Sequence, residues 1–204
     1  MLRVGLTGGI ACGKSTVAAM LAKRGARLLQ ADTLAHQLYS PGTAVYAEVV
    51  RHFGREILSD DETINRAKLA NLVFPNRITE LNAIVHPAVI HSQKEWMDGV
   101  ERAVPYAIAV VEAALILEAG AENDFDRLIV VSCNLERKVE RYAKRAGVSL
   151  DIARAEVQRR SAAQFSDEEK ARHADYLIEN SGSLSETEQQ VEKIWQELQA
   201  LATQ

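Results

Sequence analysis

A loop near the start of the 204-residue chain has the composition of a phosphate-binding site. The segment Gly8–Ser15, GGIACGKS, satisfies the pattern G-x-x-x-x-G-K-[ST] in full. Glycines let successive backbone N–H groups point at phosphate oxygens, and a helix beginning near Gly13 would add its positive dipole end. Lys14 is expected to reach the β- and γ-phosphates, and the Ser15 hydroxyl to ligate Mg²⁺. The segment therefore predicts a site for a nucleoside triphosphate with magnesium.

Asp32 is the candidate residue for positioning an acceptor group. It follows a predicted second strand, Ala26–Leu29, at the edge where doubly wound sheets bind ligands. Phosphoryl transfer needs alignment, charge neutralisation and a carboxylate that accepts the proton of the acceptor. The segment after Asp32 is helical in composition, so Asp32 fits equally well as a helix N-cap. Position alone leaves both interpretations open.

A basic segment supplies a second group of candidates. Residues 136–160 contain eight basic and four acidic side chains, a charge of +4 in a chain whose total is −4. Arg141 and Arg145 are four residues apart, so they share one face of a predicted helix. One interpretation is a movable lid whose arginines stabilise the charge of the transferring phosphoryl group. The other is a solvated face on which the arginines form salt bridges with Glu136 and Glu140.

Composition excludes several classes of protein. The net charge of −4 argues against general nucleic-acid binding. No apolar run approaches the roughly 18 residues of a membrane span, and Gly8 and Gly9 interrupt the apolar start too early for a signal peptide. The two cysteines, Cys12 and Cys133, are too few for a disulfide framework. These features predict a cytoplasmic protein without a membrane or nucleic-acid partner.

Apolar runs alternate with amphipathic segments along most of the chain, which predicts a parallel α/β sheet. The predicted strands are Arg3–Thr7, Ala26–Leu29, Ala107–Val111, Leu128–Val131 and Tyr176–Ile178, with helices at Lys14–Lys23 and around 191–201. Between Asp32 and Met97 the pattern is mostly helical, so this region is predicted to form an insertion beside the sheet. Within it, Pro87 is expected to kink or restart a helix.

The motifs also narrow the reaction. The chain lacks the N-K-x-D motif expected of a guanine-specific switch protein. The predicted strand Ala107–Val111 ends at Glu112, where large P-loop ATPases usually have an aspartate. Small kinases depend less on that acid, because they position an acceptor hydroxyl and do not activate water. We therefore predict an ATP-dependent small-molecule kinase, with a nucleotide-dependent switch or binding module as the alternative from another class.

The order of motifs along nearly the whole chain resembles the dephospho-coenzyme A kinase family of P-loop kinases. The resembling segments are LTGGIACGKST at the phosphate loop, QADTLAH at 30–36, SPG at 40–42, NRAKLANLVF at 65–74, LNAIVHP at 81–87, VVEAALILEAG at 110–120, the basic helix with Arg141 and Arg145, RSAAQ at 160–164, and ADYLIENSG at 174–182.

The resemblance implies a three-layer P-loop NTPase fold with a parallel sheet of about five strands. It divides the single domain 1–204 into a core of about 1–31, 105–135 and 174–204, a helical substrate-binding insertion of about 32–104, and a helical lid of about 136–173. The implied reaction transfers the γ-phosphoryl group of ATP, with Mg²⁺, to the 3′-hydroxyl of dephospho-coenzyme A. The enzyme is expected to be a monomer or a weak homo-oligomer.

The resemblance and the phosphate loop together assign candidate roles to individual residues. The catalytic candidates are Asp32, Lys14 and Arg141. The ATP-binding candidates are Gly9, Ile10, Ala11, Cys12, Gly13, Lys14, Ser15, Thr16, Arg145 and Asn180, with Ser15 also the Mg²⁺ ligand. The candidates for binding coenzyme A are His86, Glu112, Leu115 and Glu118. For His86 a structural role is an equal alternative.

Three positions depart from the family pattern. Gln30 stands where the family often has aspartate, so no role is carried over to it. The segment Glu112–Glu118 lacks the usual proline, which predicts a more flexible loop. Cys12 replaces a serine; position 12 is expected to contribute mainly its backbone N–H, with oxidant sensitivity of a thiol at a helix N-terminus as an open alternative. The nearest alternative function is another small P-loop kinase that phosphorylates a nucleoside, a nucleotide or a shikimate-like alcohol.

Overall fold

The computed structural model describes residues 1–74 and 76–203. The chain forms two compact units, Met1–Leu29 with Gly99–Gln204, and Gln30–Asp98. A five-stranded parallel sheet has the strand order β2-β3-β1-β4-β5, which confirms the predicted fold class. Its strands are β1 (Leu2–Gly8), β2 (Arg27–Gln30), β3 (Ile108–Glu112), β4 (Arg127–Ser132) and β5 (Tyr176–Glu179).

Strand β1 lies at the centre of the sheet and pairs in parallel with β3 and β4. These strands are nearly continuous apolar runs with buried side chains, as expected when both faces of a parallel sheet are covered. The register places Leu6 opposite Glu112 and Gly8 opposite Val131. Because parallel strands end at one edge, the phosphate loop after β1 lies beside the carboxyl ends of β3 and β4.

Two helices complete one face of the sheet. They are α1 (Lys14–Lys23), with the predicted bounds, and α9 (Leu184–Ala202). Their apolar stripes share a core with alternate residues of the strands, and this core includes Val17, Leu21, Val191, Trp195, Val4, Leu6, Ile129 and Val131. The intervening residues Leu128 and Val130 belong to a separate cluster with Ile116 and Leu117, because successive side chains of a strand point to opposite faces.

The basic segment and the residues that follow it form three short helices. They are α6 (Leu135–Ala146), α7 (Leu150–Ser161) and α8 (Asp167–Arg172). A small apolar cluster joins α6 and α7 through Val139, Ala143, Ala153 and Val157, and Ile10 of the phosphate loop packs into it. The side chains of Asn134, Ser149 and Ser166 cap the three N-termini. Local capping and one apolar seam therefore hold the helices against the loop.

The unit Gln30–Asp98 is helical around its own core. Its helices are α2 (Ala31–Leu38), α3 (Ala44–Phe53), α4 (Arg66–Val73) and α5 (Ile78–Ala103), the last of which continues beyond the unit. Val49, Phe53, Val73 and Val85 are among the residues buried in this core. Helix α5 runs through Pro87, so the helix does not restart at that residue. Across the described ranges, no helix combines the length and the apolar character needed to cross a bilayer.

Candidate active site

The phosphate loop connects the end of β1 to the start of α1 and has an unusual backbone. Gly8, Ala11 and Gly13 have φ angles of 150°, 55° and 98°. A non-glycine residue in the left-handed region, as at Ala11, is uncommon and is typical of functional loops. Gly13 occupies the N-cap of α1, which has no side-chain cap hydrogen bond. The N-terminus of α1 therefore retains backbone donors for an anion.

Asn180 braces this loop from the end of β5. Its side chain is buried, and its Nδ2 donates a hydrogen bond of 2.7 Å to the carbonyl oxygen of Cys12. Its Oδ1 accepts a hydrogen bond of 2.8 Å from the Thr187 hydroxyl. A Cβ atom at Gly13 would lie 2.1 Å from Asn180 Nδ2, so only glycine fits there. Asn180 was predicted to contact ATP, and its side-chain amide contacts the backbone of the phosphate loop.

Arg141 extends from α6 to the same loop. Its guanidinium donates to the carbonyl oxygen of Cys12 at 3.1 Å and to that of Asn180 at 2.8 Å. The salt bridges considered for Arg141 and Arg145 form elsewhere, because Glu136 pairs with Arg154 and Glu140 pairs with Arg137. The structure therefore contradicts the surface salt-bridge interpretation of Arg141.

Arg145 does not accompany Arg141 to the loop. It is exposed, and its guanidinium lies 5.5 Å from the centre of the Tyr142 ring, a cation–π distance. Arg160 approaches the same ring at 5.7 Å. The two arginines were predicted to share one face of the helix. In the structure Arg141 contacts the phosphate loop, whereas Arg145 contacts the Tyr142 ring.

Lys14 lies at the Gly8–Gly9 end of the loop. Its Nζ donates hydrogen bonds to the carbonyl oxygens of Gly8 at 2.9 Å and Gly9 at 3.0 Å. The loop lysine is the residue that reaches the β- and γ-phosphates in such sites. The ammonium group therefore lies at the end of the loop where the motif predicts the outer phosphates. Thr16, another predicted ATP contact, is exposed, and its N–H bonds to the carbonyl oxygen of Gly13 at 3.0 Å.

Ser15 and Glu112 meet at the end of β3. The Ser15 hydroxyl donates a hydrogen bond of 2.8 Å to Glu112 Oε1, and the Glu112 residue is only 8% exposed. Hydroxyl and carboxylate oxygens are the hard ligands that Mg²⁺ prefers, usually one or two from protein with phosphate and water completing the shell. The described residues contain no group of three or more His, Cys, Asp or Glu placed for a metal. The Ser15–Glu112 pair fits a magnesium ion shared with phosphates.

Glu118, a predicted coenzyme A contact, has protein partners. It forms an ion pair of 2.9 Å with Lys170, whose side chain is fully buried, and it accepts the Phe165 N–H at 2.9 Å. Lys170 also donates to the carbonyl oxygen of Ala114 at 3.1 Å. These contacts fasten the segment after β3 to α8 and to the residues that precede it. Leu115, in the same segment, is half-buried.

Asp32 and His86 belong to the helical unit. Asp32 is exposed in the first turn of α2, and the N-cap of that helix is Gln30. The N-cap interpretation of Asp32 is therefore wrong, because Asp32 lies inside the helix. His86 is half-buried in α5.

The helical unit also contains a cavity of about 400 Å³. It is lined by His36, Tyr39, Ser40, Pro41, Thr63, Ile64, Arg66, Leu69, Ala70, Val73, Phe74 and Leu81. Each of the four family-like segments between residues 30 and 87 contributes to this lining. The motifs of the helical unit thus converge on one cavity, which was not evident from any of them alone.

Both thiols are free and buried. Burial raises the pKa of the Cys12 thiol, although Lys14 opposes the shift, and burial raises the pKa of Cys133 to about 11. A protonated, buried thiol reacts poorly with oxidants, since the thiolate is the reactive form. The environment of Cys12 therefore opposes oxidant sensitivity, the alternative that the sequence left open.

Comparison with known proteins identifies relatives of this chain over nearly its whole length. The family model described as dephospho-CoA kinase matches residues 2–186. Dephospho-CoA kinase of Aquifex aeolicus is 41% identical over 200 residues, covering 97% of this chain and 98% of that protein. Dephospho-CoA kinase of Syntrophus aciditrophicus is 39% identical, covering 97% of this chain and 83% of that protein.

Solved structures agree with the sequence comparison. Dephospho-CoA kinase of Campylobacter jejuni has a TM-score of 0.69 at 27% identity, covering 97% of this chain and 96% of that chain. A shikimate kinase from Bacteroides thetaiotaomicron, at 13% identity and a TM-score of 0.50 over 97% of this chain and 98% of its own, shares the fold alone. The chain belongs to the dephospho-CoA kinase family.

Proposed function

We propose that this protein transfers the γ-phosphoryl group of ATP to the 3′-hydroxyl of dephospho-coenzyme A, giving coenzyme A and ADP. The observation that carries the proposal is the arrangement of Lys14, Ser15 and Glu112 on a phosphate loop in a chain of this family. The reaction would complete coenzyme A synthesis. The two thiols of the protein are free and buried, which supports placement in the reducing cytoplasm. We expect a monomer or a weak homo-oligomer.

The phosphate loop would bind the triphosphate. Backbone N–H groups of Gly9–Ser15 would contact its oxygens, Thr16 stays a predicted ATP contact, and Lys14 would neutralise charge on the β- and γ-phosphates. Arg141 would add charge from α6, since it already lies on the loop. Asn180 would act as a positioning residue through the Cys12 carbonyl oxygen, and Arg145 stays a predicted ATP contact.

Magnesium would be held through Ser15 and Glu112. The ion supplies positive charge that bridges phosphate oxygens and offsets the charge of the transferring group. Ser15 would offer its hydroxyl oxygen to the ion. Glu112 would either accept hydrogen bonds from water bound to the ion or ligate the ion directly. This assigns Glu112 to the metal, whereas sequence resemblance grouped it with coenzyme A.

Asp32 would accept the proton of the 3′-hydroxyl. The ribose oxygen forms its bond to the γ-phosphorus, while the bond from that phosphorus to the β–γ bridging oxygen breaks and ADP leaves. The hydroxyl proton passes to the Asp32 carboxylate. Its exposure in α2 is compatible with access to an acceptor.

The cavity of the helical unit would receive part of the acceptor. His36 lies one helical turn after Asp32 on α2, so the lining of the cavity begins on the face that carries the proposed base. Arg66 offers a cation for a diphosphate, and Leu69 and Val73 offer apolar surface for the pantetheine arm. His86 and Leu115 stay predicted acceptor contacts. Glu118 would act indirectly, through Lys170.

An acceptor panel tests the proposal. Purified protein with ATP and Mg²⁺ is given dephospho-coenzyme A, AMP, uridine or shikimate, and ADP release is measured. We expect release with dephospho-coenzyme A alone, and a mass gain of one phosphoryl group that a 3′-specific nucleotidase removes. Turnover confined to another alcohol would support a different small P-loop kinase. Hydrolysis of ATP that no acceptor stimulates would favour a nucleotide-dependent switch.

A further inference from the structure

Lys138 is a base of α6 that lies against the phosphate loop. Its side chain is 8% exposed and forms an ion pair with Asp167, the first residue of α8, whose side chain is 30% exposed. A Cβ atom at Gly9 would lie 3.0 Å from Lys138 Nζ and 2.9 Å from Asp167 Oδ1. The ion pair therefore sits directly on the backbone of Gly9.

The position of Gly9 identifies which phosphate lies closest. Lys14, the loop lysine, donates to the carbonyl oxygens of Gly8 and Gly9, so this end of the loop is where the β- and γ-phosphates bind. Two ammonium groups thus approach Gly9, one from α1 and one from α6. The terminal phosphate would meet both.

The space beside the ion pair can hold a ligand. A cavity of about 770 Å³ is lined by Gly9, Lys138 and Asp167 together with Ser132 and Ser166. This volume is within the range of small-molecule sites. Lys138 is therefore buried by protein on one side and faces a cavity on the other.

The charges of the pair suggest an exchange. A buried ammonium group needs a counter-ion, which Asp167 supplies here. Asp167 is the more exposed partner, and it lies at the end of a short helix, so it can move more easily than Lys138. A terminal phosphate carries more negative charge than a carboxylate and has three acceptor oxygens, so it competes well for the same ammonium group.

We propose that Lys138 is a further phosphate-binding residue of this active site, which contacts the terminal phosphoryl group of ATP and exchanges Asp167 for it. The inference rests on the proposed function in assuming a triphosphate on the loop. It predicts that Lys138 raises affinity for ATP over ADP, because ADP lacks the terminal group. A purely structural ion pair would affect both nucleotides equally.

Calorimetric titration with magnesium and either a non-hydrolysable ATP analogue or ADP tests this directly, without any acceptor. For Lys138→Met we expect a loss of about 10- to 100-fold in affinity for the ATP analogue, as for a lost charged hydrogen bond, and little change for ADP. Lys144→Met, an exposed lysine of the same helix, is the matched control and should change neither. Equal losses for both nucleotides in Lys138→Met would overturn the proposal.

Two further variants guard against loss of folding. Lys138→Met with Asp167→Asn removes both charges, so no unpaired carboxylate is left, and it should show the same selective loss. Asp167→Asn alone should keep the preference for the triphosphate, because Lys138 remains. If Asp167→Asn alone lost the preference for the triphosphate, that preference would depend on the intact Lys138–Asp167 ion pair and not on Lys138, which would overturn the proposal. Wild-type protein that binds neither nucleotide would instead contradict the proposed function.

Discussion

The Ser15 hydroxyl donates a hydrogen bond of 2.8 Å to Oε1 of Glu112, joining the phosphate loop to the end of β3 across 97 residues of sequence. A loop serine that binds magnesium must keep its oxygen lone pairs directed at the ion, and an acceptor for its hydrogen achieves this. The bond therefore connects the loop, which we propose binds phosphates, with a carboxylate placed to hold the proposed magnesium shell.

Glu112→Gln is expected to weaken the dependence of activity on magnesium. Loss of a carboxylate beside a metal typically costs about 10- to 100-fold in metal affinity or activity. The half-saturating Mg²⁺ concentration should rise, measured by ADP release at fixed ATP. Glu179→Gln is the matched control, because Glu179 also ends a strand and accepts from a serine, Ser132, at 3.0 Å. An unchanged magnesium profile for Glu112→Gln would remove Glu112 from the metal site.

Asp32→Asn should lower kcat by about 10²- to 10⁴-fold, the usual contribution of a general base, while leaving the Kd for ATP unchanged. Asp151→Asn is the matched control. Asp151 occupies the same second position of an exposed helical first turn in α7, so it reports the loss of an acidic group from a helix N-terminus alone. If Asp32→Asn behaves like Asp151→Asn, Asp32 is not the base.

Arg141→Ala should reduce kcat by about 10²- to 10³-fold, the cost of removing one preorganised charged donor. Steady-state kinetics with varied ATP separate this from binding. Arg154→Ala removes an arginine of α7 that pairs with Glu136 at the surface, so its kinetics should match the wild type. A normal rate for Arg141→Ala would limit Arg141 to holding α6 on the loop.

Asn180→Ala should lower the free energy of unfolding by about 1–3 kcal/mol, because it removes two buried side-chain hydrogen bonds, one to the Cys12 carbonyl oxygen and one from the Thr187 hydroxyl. Urea denaturation measures the loss, and KM for ATP should rise as the phosphate loop relaxes. Thr187→Val removes only the hydroxyl that donates to Asn180, so a smaller loss of about 1 kcal/mol is expected. Unchanged stability in Asn180→Ala would contradict its role as a brace.

Stability should fall in alkali partly through Cys133. Burial raises the pKa of its thiol to about 11, from a reference value of 9.0. The thiol therefore ionises more readily in the unfolded chain, so its contribution is complete below about pH 9 and is lost as the pH rises toward 11. The slope is at most about 1.4 kcal/mol per pH unit. Urea denaturation at pH 8 and pH 10 gives the free energy of unfolding at each pH. The decrease between the two should be smaller for Cys133→Ala than for the wild type, and equal decreases would refute the assignment.

Features that depend on neighbouring residues could be predicted from the sequence. Glycine spacing indicated the phosphate loop, the apolar stripe indicated α1 with the bounds Lys14–Lys23, and short apolar runs indicated all five strands to within a residue or two. The alternation of these strands with amphipathic helices also predicted the parallel sheet, and the order of the motifs predicted the family. These properties are local, because backbone conformation and amphipathic spacing are set over a few residues.

Contacts between distant segments were decided by the tertiary structure. Cys12 meets Asn180 across 168 residues and Arg141 across 129, and neither pairing follows from the residue types. Glu112 and Glu118 looked equivalent in sequence, but Glu112 reaches Ser15 while Glu118 pairs with buried Lys170. In the sequence Lys138 is one of eight basic residues with nothing to distinguish it, and only the fold shows that it lies against Gly9.

The sequence by itself thus indicated the phosphate loop and its residues, and it determined the family to which the chain belongs. Strand order, with β3 and β4 on either side of β1, decided which carboxylate and which basic side chains surround that loop. The reason is physical: a local motif shapes its own backbone, whereas the charges around it arrive from whichever strands and helices the packed core places beside it.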